Sequence, residues 1–124
     1  MNKVEGIKSS IKKWEEIREK VKAHHISMHY IHHYWNSCGY CKAFSGTYCS
    51  TCPLYESKSK KYGIVYCFTS RFYPSVAYMA LRLAGQGEWI NALEYIDNLL
   101  AKMRRDLKKW MKLNGQSKSP QRRD

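Results

Sequence analysis

The sequence has no long apolar run. Its first ten residues lack the uninterrupted apolar stretch of a signal peptide, and no later window is long enough to cross a bilayer. We therefore expect a soluble protein of the cytoplasm. Its 124 residues predict one domain with a modest core.

Acidic residues are also scarce. The chain has 10 Asp and Glu against 22 Lys and Arg, which gives a formal net charge of +12. No Gly-rich phosphate loop, G-x-S-x-G motif or pair of carboxylates occurs, so enzymatic activity is disfavoured. The alternative is an enzyme whose nucleophile is Cys67, activated by a histidine. Such an excess of positive charge is typical of proteins that bind nucleic acid, although a solvated lysine-rich surface would look the same.

Four of the five cysteines form two pairs, Cys38-Gly-Tyr-Cys41 and Cys49-Ser-Thr-Cys52. A two-residue gap lets both thiolates of one tight turn bind the same ion, and two such turns complete the tetrahedral shell of zinc. We predict one structural zinc ion held by Cys38, Cys41, Cys49 and Cys52, with Cys67 as an alternate ligand. An iron–sulfur cluster is the alternative cofactor.

Five histidines lie within ten residues, namely His24, His25, His29, His32 and His33. On a helix His25, His29 and one of the last two would share a face. A second metal site is one interpretation, and solvated or packed histidines are the preferred one. The aromatic residues around the cysteines alternate with lysines, and for them we favour core packing over the stacking of bases.

The apolar spacing predicts a mainly α fold, a small helical bundle of two long amphipathic helices and a short helix. A heptad pattern over residues 7–35 predicts the first helix, capped by Ser9 or Ser10 and running directly into a zinc-binding loop over residues 36–73. That loop would hold an exposed turn over residues 57–61 and at most a short β-hairpin, with a strand over residues 62–68. Tyr40, Phe44, Tyr62 and Tyr66 are among its aromatics.

Pro74 would begin the short helix, which Gly85-Gln-Gly87 would end, and the last helix would begin at Glu88 or Trp89. We expect the two long helices to pair antiparallel through their apolar stripes. Residues 1–115 would form one zinc-stapled domain, followed by a flexible basic tail over residues 116–124.

The last helix and the tail carry the strongest concentration of positive charge. The residues predicted to contact phosphate are Lys102, Arg104, Arg105, Lys108, Lys109, Lys112, Arg122 and Arg123. The leading hypothesis is a small zinc-binding protein that binds nucleic acid, DNA or RNA, nonspecifically or sits in a nucleoprotein assembly. The alternative is a zinc-stabilised adaptor or inhibitor that binds a host or viral protein.

The cysteine pattern resembles that of small uncharacterised proteins of phages and other mobile elements. In those proteins a Trp-containing helix is followed by C-x-x-C, then C-x-x-C-P, then one further cysteine. The match covers residues 35–74 here, where Phe44, Pro53 and Phe72-Tyr73-Pro74 stand at the corresponding places. The resemblance implies metal binding and a viral or mobile-element setting, and a viral protein would lie in the host's cytoplasm. It implies no activity, and this chain departs from it by a longer interval between Cys52 and Cys67.

Overall fold

The structure is a computed structural model that describes residues 2–25, 39–44, 53–66 and 75–122, with side chains except at 39, 41–42, 55–56 and 114–122. The described part of the chain is mainly helical, as predicted. Its helices, in chain order, are α1 (Lys3–Lys22), α2 (Gly39–Phe44), α3 (Pro53–Glu56), α4 (Val76–Gly85) and α5 (Trp89–Arg122).

Helix α1 is shorter than the heptad pattern predicted. It begins after Asn2, whose side-chain oxygen accepts the Glu5 N–H at 2.8 Å, so the predicted cap at Ser9 or Ser10 is wrong. It ends at Lys22, because His24 adopts a left-handed conformation (φ 57°) and stacks on Trp89 with ring centroids 4.7 Å apart. The helix therefore does not run on continuously to residue 35, and residues 26–35 lie outside the described residues.

Helices α1 and α5 pack antiparallel, as their matching apolar stripes predicted. The edge of their interface carries two ion pairs, Arg18 Nε to Asp97 Oδ1 at 2.6 Å and Arg104 Nη2 to Glu15 Oε2 at 3.0 Å. Asp97 raises the pKa of Arg18 further through this hydrogen bond. The side chains buried in the core include Ile7, Trp14, Ile17 and Val21 of α1 and Ile96, Leu100 and Met103 of α5.

Helix α4 closes the bundle against α5. Ser75 caps its start by accepting the Tyr78 N–H at 3.0 Å, one residue after the proline that we predicted to begin it. The helix turns into α5 at Gly87, whose φ of 78° suits glycine, as predicted. Helix α5 begins at Trp89, also as predicted.

The helical backbone of α5 continues to Arg122, beyond Asn114-Gly115 where we predicted its end. The flexibility that we predicted for residues 116–124 stays a prediction. No helix among the described residues is both long and apolar enough to cross a membrane.

The described residues between α1 and α4 contain more helix than predicted and less strand. Helices α2 and α3 are short, and residues 58–66 form a turn closed by the Gly63 N–H donating to the Ser59 carbonyl at 2.7 Å. Within the part of the chain that the structure describes, one antiparallel bridge joins Lys58 and Val65. The strand predicted over residues 62–68 is therefore wrong for its described part, because Gly63 (φ 72°) turns the chain there.

Candidate functional site

The basic residues predicted to contact phosphate have different environments, and Lys102 is the most buried of those described. Its side chain is 12 % exposed, and its ammonium lies 2.7 Å from Oδ1 of Asp106, one turn further along α5. The other oxygen of Asp106 accepts the hydroxyl of Tyr40 at 2.9 Å. Lys102 thus neutralises a buried carboxylate, and the structure does not offer its ammonium to a ligand.

Tyr40 joins three helices at this point. Its side chain is buried, and its backbone N–H donates to the hydroxyl oxygen of Ser10 in α1 at 3.2 Å. Through Ser10 and Asp106, helix α2 is fixed to both long helices. We name Ser10, Tyr40, Lys102 and Asp106 the Tyr40 cluster.

Arg104 and Arg105 also contact groups of the protein itself. Arg104 forms the exposed ion pair with Glu15, which contributes little stability because water screens it. Arg105 Nη2 donates to the Tyr66 hydroxyl at 3.4 Å, and the rest of this exposed guanidinium remains open to a ligand. Arg104 is the weaker candidate, since a phosphate would have to compete with a carboxylate.

The remaining cations form one face of α5. Positions 105, 108, 109 and 112 are separated by three, one and three residues, so they share a face about 100° wide. All four are exposed, and among the described residues none is paired with a carboxylate. We call Arg105, Lys108, Lys109 and Lys112 the α5 stripe.

The α5 stripe borders an open depression of about 470 Å³, which is also lined by Leu113. Leu113 is 40 % exposed and Met111, on the neighbouring side of the helix, is 50 % exposed. The depression thus combines one apolar side chain, Leu113, with four positive charges. Such a surface suits an anionic ligand.

The two predicted arginines of the tail add no described contact. Arg122 is the last residue of α5, where the structure describes the backbone and not the side chain, and Arg123 lies outside the described residues. Their contribution to binding stays a prediction.

The predicted metal ligands fall almost entirely outside the described residues. This holds for Cys38, Cys49, Cys52 and Cys67, while Cys41 belongs to α2 without a described side chain. Among the described side chains, no group of His, Cys, Asp and Glu could hold a metal ion. The zinc site and the alternative iron–sulfur cluster therefore stay predictions.

The histidine cluster is only partly described. His24 and His25 come after the end of α1, so the prediction that His25 lies on the first helix is wrong. His24 stacks on Trp89, which agrees with the preferred interpretation of a packed histidine. His29, His32 and His33 lie outside the described residues.

The described aromatic residues near the cysteines are used in packing. Tyr40 is buried, Tyr66 is 3 % exposed, and Phe44 lies edge-on to Trp110 with centroids 5.4 Å apart. Tyr62 stacks on Tyr95 of α5 at a centroid distance of 3.9 Å. For these rings the core-packing interpretation is confirmed.

Sequence reasoning placed Lys58, Lys60 and Lys61 in an exposed turn but did not include them in the interface. All three are exposed, and the turn that carries them packs on α5 through Tyr62 and Tyr66. No spacing in the sequence indicates this position, because the contacts that place the turn on α5 come from single tyrosines.

No protein-family model matches the sequence, and searches of the curated proteins and of the solved structures gave no match either.

Proposed function

We propose that this protein binds nucleic acid nonspecifically through the α5 stripe, and that its paired cysteines hold a structural zinc ion. The observation that carries the first part is the stripe itself, four exposed cations on one face of a long helix without a carboxylate partner among the described residues. Each phosphate that such a cation neutralises releases condensed counterions, which is the main source of nonspecific affinity. No base-reading element is needed for this function.

The geometry of the helix supports the proposal. From Arg105 to Lys112 the axis rises about 10 Å, a length over which one strand of a duplex presents about three phosphates. Four cations over this distance can therefore match the spacing of a nucleic-acid backbone. The bundle holds them in place, since the opposite side of α5 is buried through Met103 and its neighbours.

The zinc part of the proposal rests on the cysteine spacing and gains support from where the described neighbours of the cysteines dock. Helix α2, which contains Cys41, is fixed to Asp106 of α5 by the Tyr40 hydroxyl. The carbonyl of Leu54, two residues after Cys52, accepts the N–H of Tyr66 at 3.0 Å, and the hydroxyl of Tyr66 lies by Arg105. Both segments therefore lead to the same turn of α5, an arrangement that favours convergence of the two cysteine pairs.

Native mass spectrometry of the purified protein tests the zinc site. We expect one zinc per chain, lost in Cys38→Ser and Cys49→Ser, while Cys67→Ser retains it if Cys67 is only an alternate ligand. Bound iron, a visible colour or unchanged metal content in the Cys38→Ser variant would exclude the proposed site.

Nucleic-acid binding is tested by fluorescence anisotropy over a series of salt concentrations. The variant Lys108→Gln with Lys112→Gln should lower the slope of log K against log salt by about two units, because two phosphate contacts are lost. Lys12→Gln with Arg82→Gln is the matched control, since it removes the same charge from exposed positions of α1 and α4.

Two results would overturn the proposal. One is the absence of binding at low salt, and the other is an equal change of slope in the stripe variant and its control. If a partner protein copurifies with the chain and its binding hardly depends on salt, the adaptor or inhibitor function replaces nucleic-acid binding.

A further inference from the structure

The turn over residues 58–63 presents three lysines on a rigid support. Ser59 is buried at its centre, and its N–H donates to the carbonyl of Ile64 at 2.8 Å while its carbonyl accepts the Gly63 N–H. Its hydroxyl oxygen also accepts the Tyr62 N–H at 3.3 Å. These hydrogen bonds hold the backbone of the turn together. The side chains of three of its lysines are exposed, and we call Lys58, Lys60 and Lys61 the turn lysines.

This turn packs on one particular face of α5. Tyr62 stacks on Tyr95, and Tyr66 lies over Lys102 with its hydroxyl at Arg105. Along a helix, positions seven apart lie nearly one above the other. The covered positions Tyr95 and Lys102 therefore share their face with Lys109.

The α5 stripe continues the same face beyond the turn. Arg105 stands at the boundary, one side against Tyr66 and the other toward Lys109 and Lys112. The turn lysines and the α5 stripe are thus carried on the same side of α5, and we call these seven exposed cations the basic ridge. The segment of α5 that carries them, from Tyr95 to Lys112, is about 25 Å long at about 1.5 Å per residue.

The basic ridge offers no described aromatic face to a base. The ring of Tyr62 stacks on Tyr95, with the Lys61 ammonium 5.3 Å from its centroid, and Tyr66 is buried. Proteins that bind single strands combine a basic groove with aromatic rings on which bases stack. A basic surface without an open aromatic face among the described residues suits a ligand whose bases are already stacked inside a duplex.

Building on the proposed function, we infer that the basic ridge binds the phosphate backbone of a double-stranded nucleic acid, with the turn lysines as the second half of the interface. Its length corresponds to about seven base pairs at about 3.4 Å each. The contacts are to phosphate, so the protein binds duplexes of any sequence. Duplex DNA and duplex RNA share this chemistry, and separate probes distinguish them.

The salt dependence measures how much of the ridge takes part. If all seven cations contact phosphate, the slope of log K against log salt on duplex DNA should be about −6, whereas the four residues of the α5 stripe alone give about −4. Removing two turn lysines with Lys58→Gln and Lys60→Gln should reduce the slope by about two units. Lys61 is left in place because its ammonium contacts the Tyr62 ring.

The experiment uses the full chain and labelled probes of mixed sequence: duplex DNA, duplex RNA and single-stranded DNA of about 15 nucleotides, and, as a short duplex, a DNA hairpin with a stem of about five base pairs. We expect tighter binding of a duplex than of the single strand, and a clear loss of affinity on the short duplex. Circular dichroism of each variant confirms that the helices are intact.

Two outcomes contradict the inference, and both leave the proposed function standing. In the first, the stripe variant lowers the slope and the variant of the turn lysines does not. In the second, the single strand binds more tightly than either duplex. A stripe variant that binds like its matched control instead removes the proposed function itself, so the two failures are distinguishable.

Discussion

The two halves of α5 differ in what packs against their outward face. In the first half, Tyr40 and the turn over residues 58–63 cover that face. There Lys102 neutralises the buried carboxylate of Asp106. In the second half the described part of that face, up to Leu113, is bare, and Lys109, seven residues after Lys102, is exposed without a described partner. The same residue type at the same heptad position is structural in one half and open to a ligand in the other. The residues that pack on a basic side chain decide its role, and the sequence alone does not show which residues these are.

Removing the proposed zinc should have the largest effect on stability, and the loss should occur in the segments that pack on the first half of α5. Structural zinc contributes on the order of 10 kcal/mol in small domains. A chelator or Cys41→Ser should therefore release α2 and the segment that begins with α3 from their packing on α5. Hydrogen exchange followed by mass spectrometry should show lost protection in residues 39–44 and 53–66 and retained protection in the paired part of α1 and α5. Unchanged protection of those two segments would mean that packing alone holds them on α5.

The next largest effect should come from breaking the buried ion pair. Asp106→Ala leaves the Lys102 ammonium and the Tyr40 hydroxyl without their shared acceptor, and should lower the free energy of unfolding by about 3 kcal/mol. Lys109→Ala, on the bare half, should change it by less than about 0.5 kcal/mol. Urea unfolding of both variants measures the contrast. Similar losses in the two variants would show that the halves do not differ as the contacts indicate.

The helices of this comparison were largely predictable, because burial follows an apolar period that the sequence displays. The start of α5 at Trp89, the turn at Gly87 and the antiparallel pairing with α1 were predicted from that period and from glycine. The end of α1 was not, because the heptad pattern continues past Lys22 while His24 leaves the helix to stack on Trp89, far away in sequence. A contact between distant residues overrode a local pattern.

The candidate site was predictable in composition and not in detail. The sequence indicated that the end of α5 is basic, but it could not separate Lys102 from Lys109, since the difference lies in Tyr40 and Asp106, 66 residues apart. It likewise predicted an exposed basic turn without indicating that Tyr62 seats the turn on α5. Lone tyrosines have no spacing that predicts a partner, so such contacts are visible only in three dimensions.

A smaller effect is expected for the hydrogen bond that ties α2 to α1. Ser10→Ala removes the acceptor of the buried Tyr40 N–H and should lower the free energy of unfolding by about 1 to 2 kcal/mol. Ser9→Ala, at the neighbouring exposed position of α1, is the matched control and should have almost no effect. Thermal unfolding of both variants tests this. Equal stability of the two variants would show that the Ser10 hydroxyl does not help to hold the cover in place.

The smallest effect concerns the hydroxyl of Tyr62, whose ring seats the turn on the covered half. That oxygen is buried and makes no hydrogen bond to a described residue, so Tyr62→Phe keeps the stack on Tyr95 and removes an unsatisfied group. We expect the free energy of unfolding to rise by up to about 1 kcal/mol near neutral pH. Tyr62→Ala, which removes the ring as well, should instead lower it by about 3 kcal/mol.

The pH dependence sharpens this last prediction. Burial raises the pKa of Tyr62 above its usual value, an effect that the nearby Lys61 charge partly offsets. The unfolded chain therefore loses this proton first, so the contribution of Tyr62 is fully present below about pH 10 and is lost as the pH rises toward the raised pKa. The Tyr62→Phe variant has no such proton to lose, so it should not lose this part of its stability at alkaline pH. The difference in free energy of unfolding between the variant and the unmodified protein, measured with urea, should therefore grow above about pH 10. A constant difference across that range would mean that the hydroxyl is solvated and that the turn lies less closely on α5 than the Tyr62–Tyr95 stack indicates.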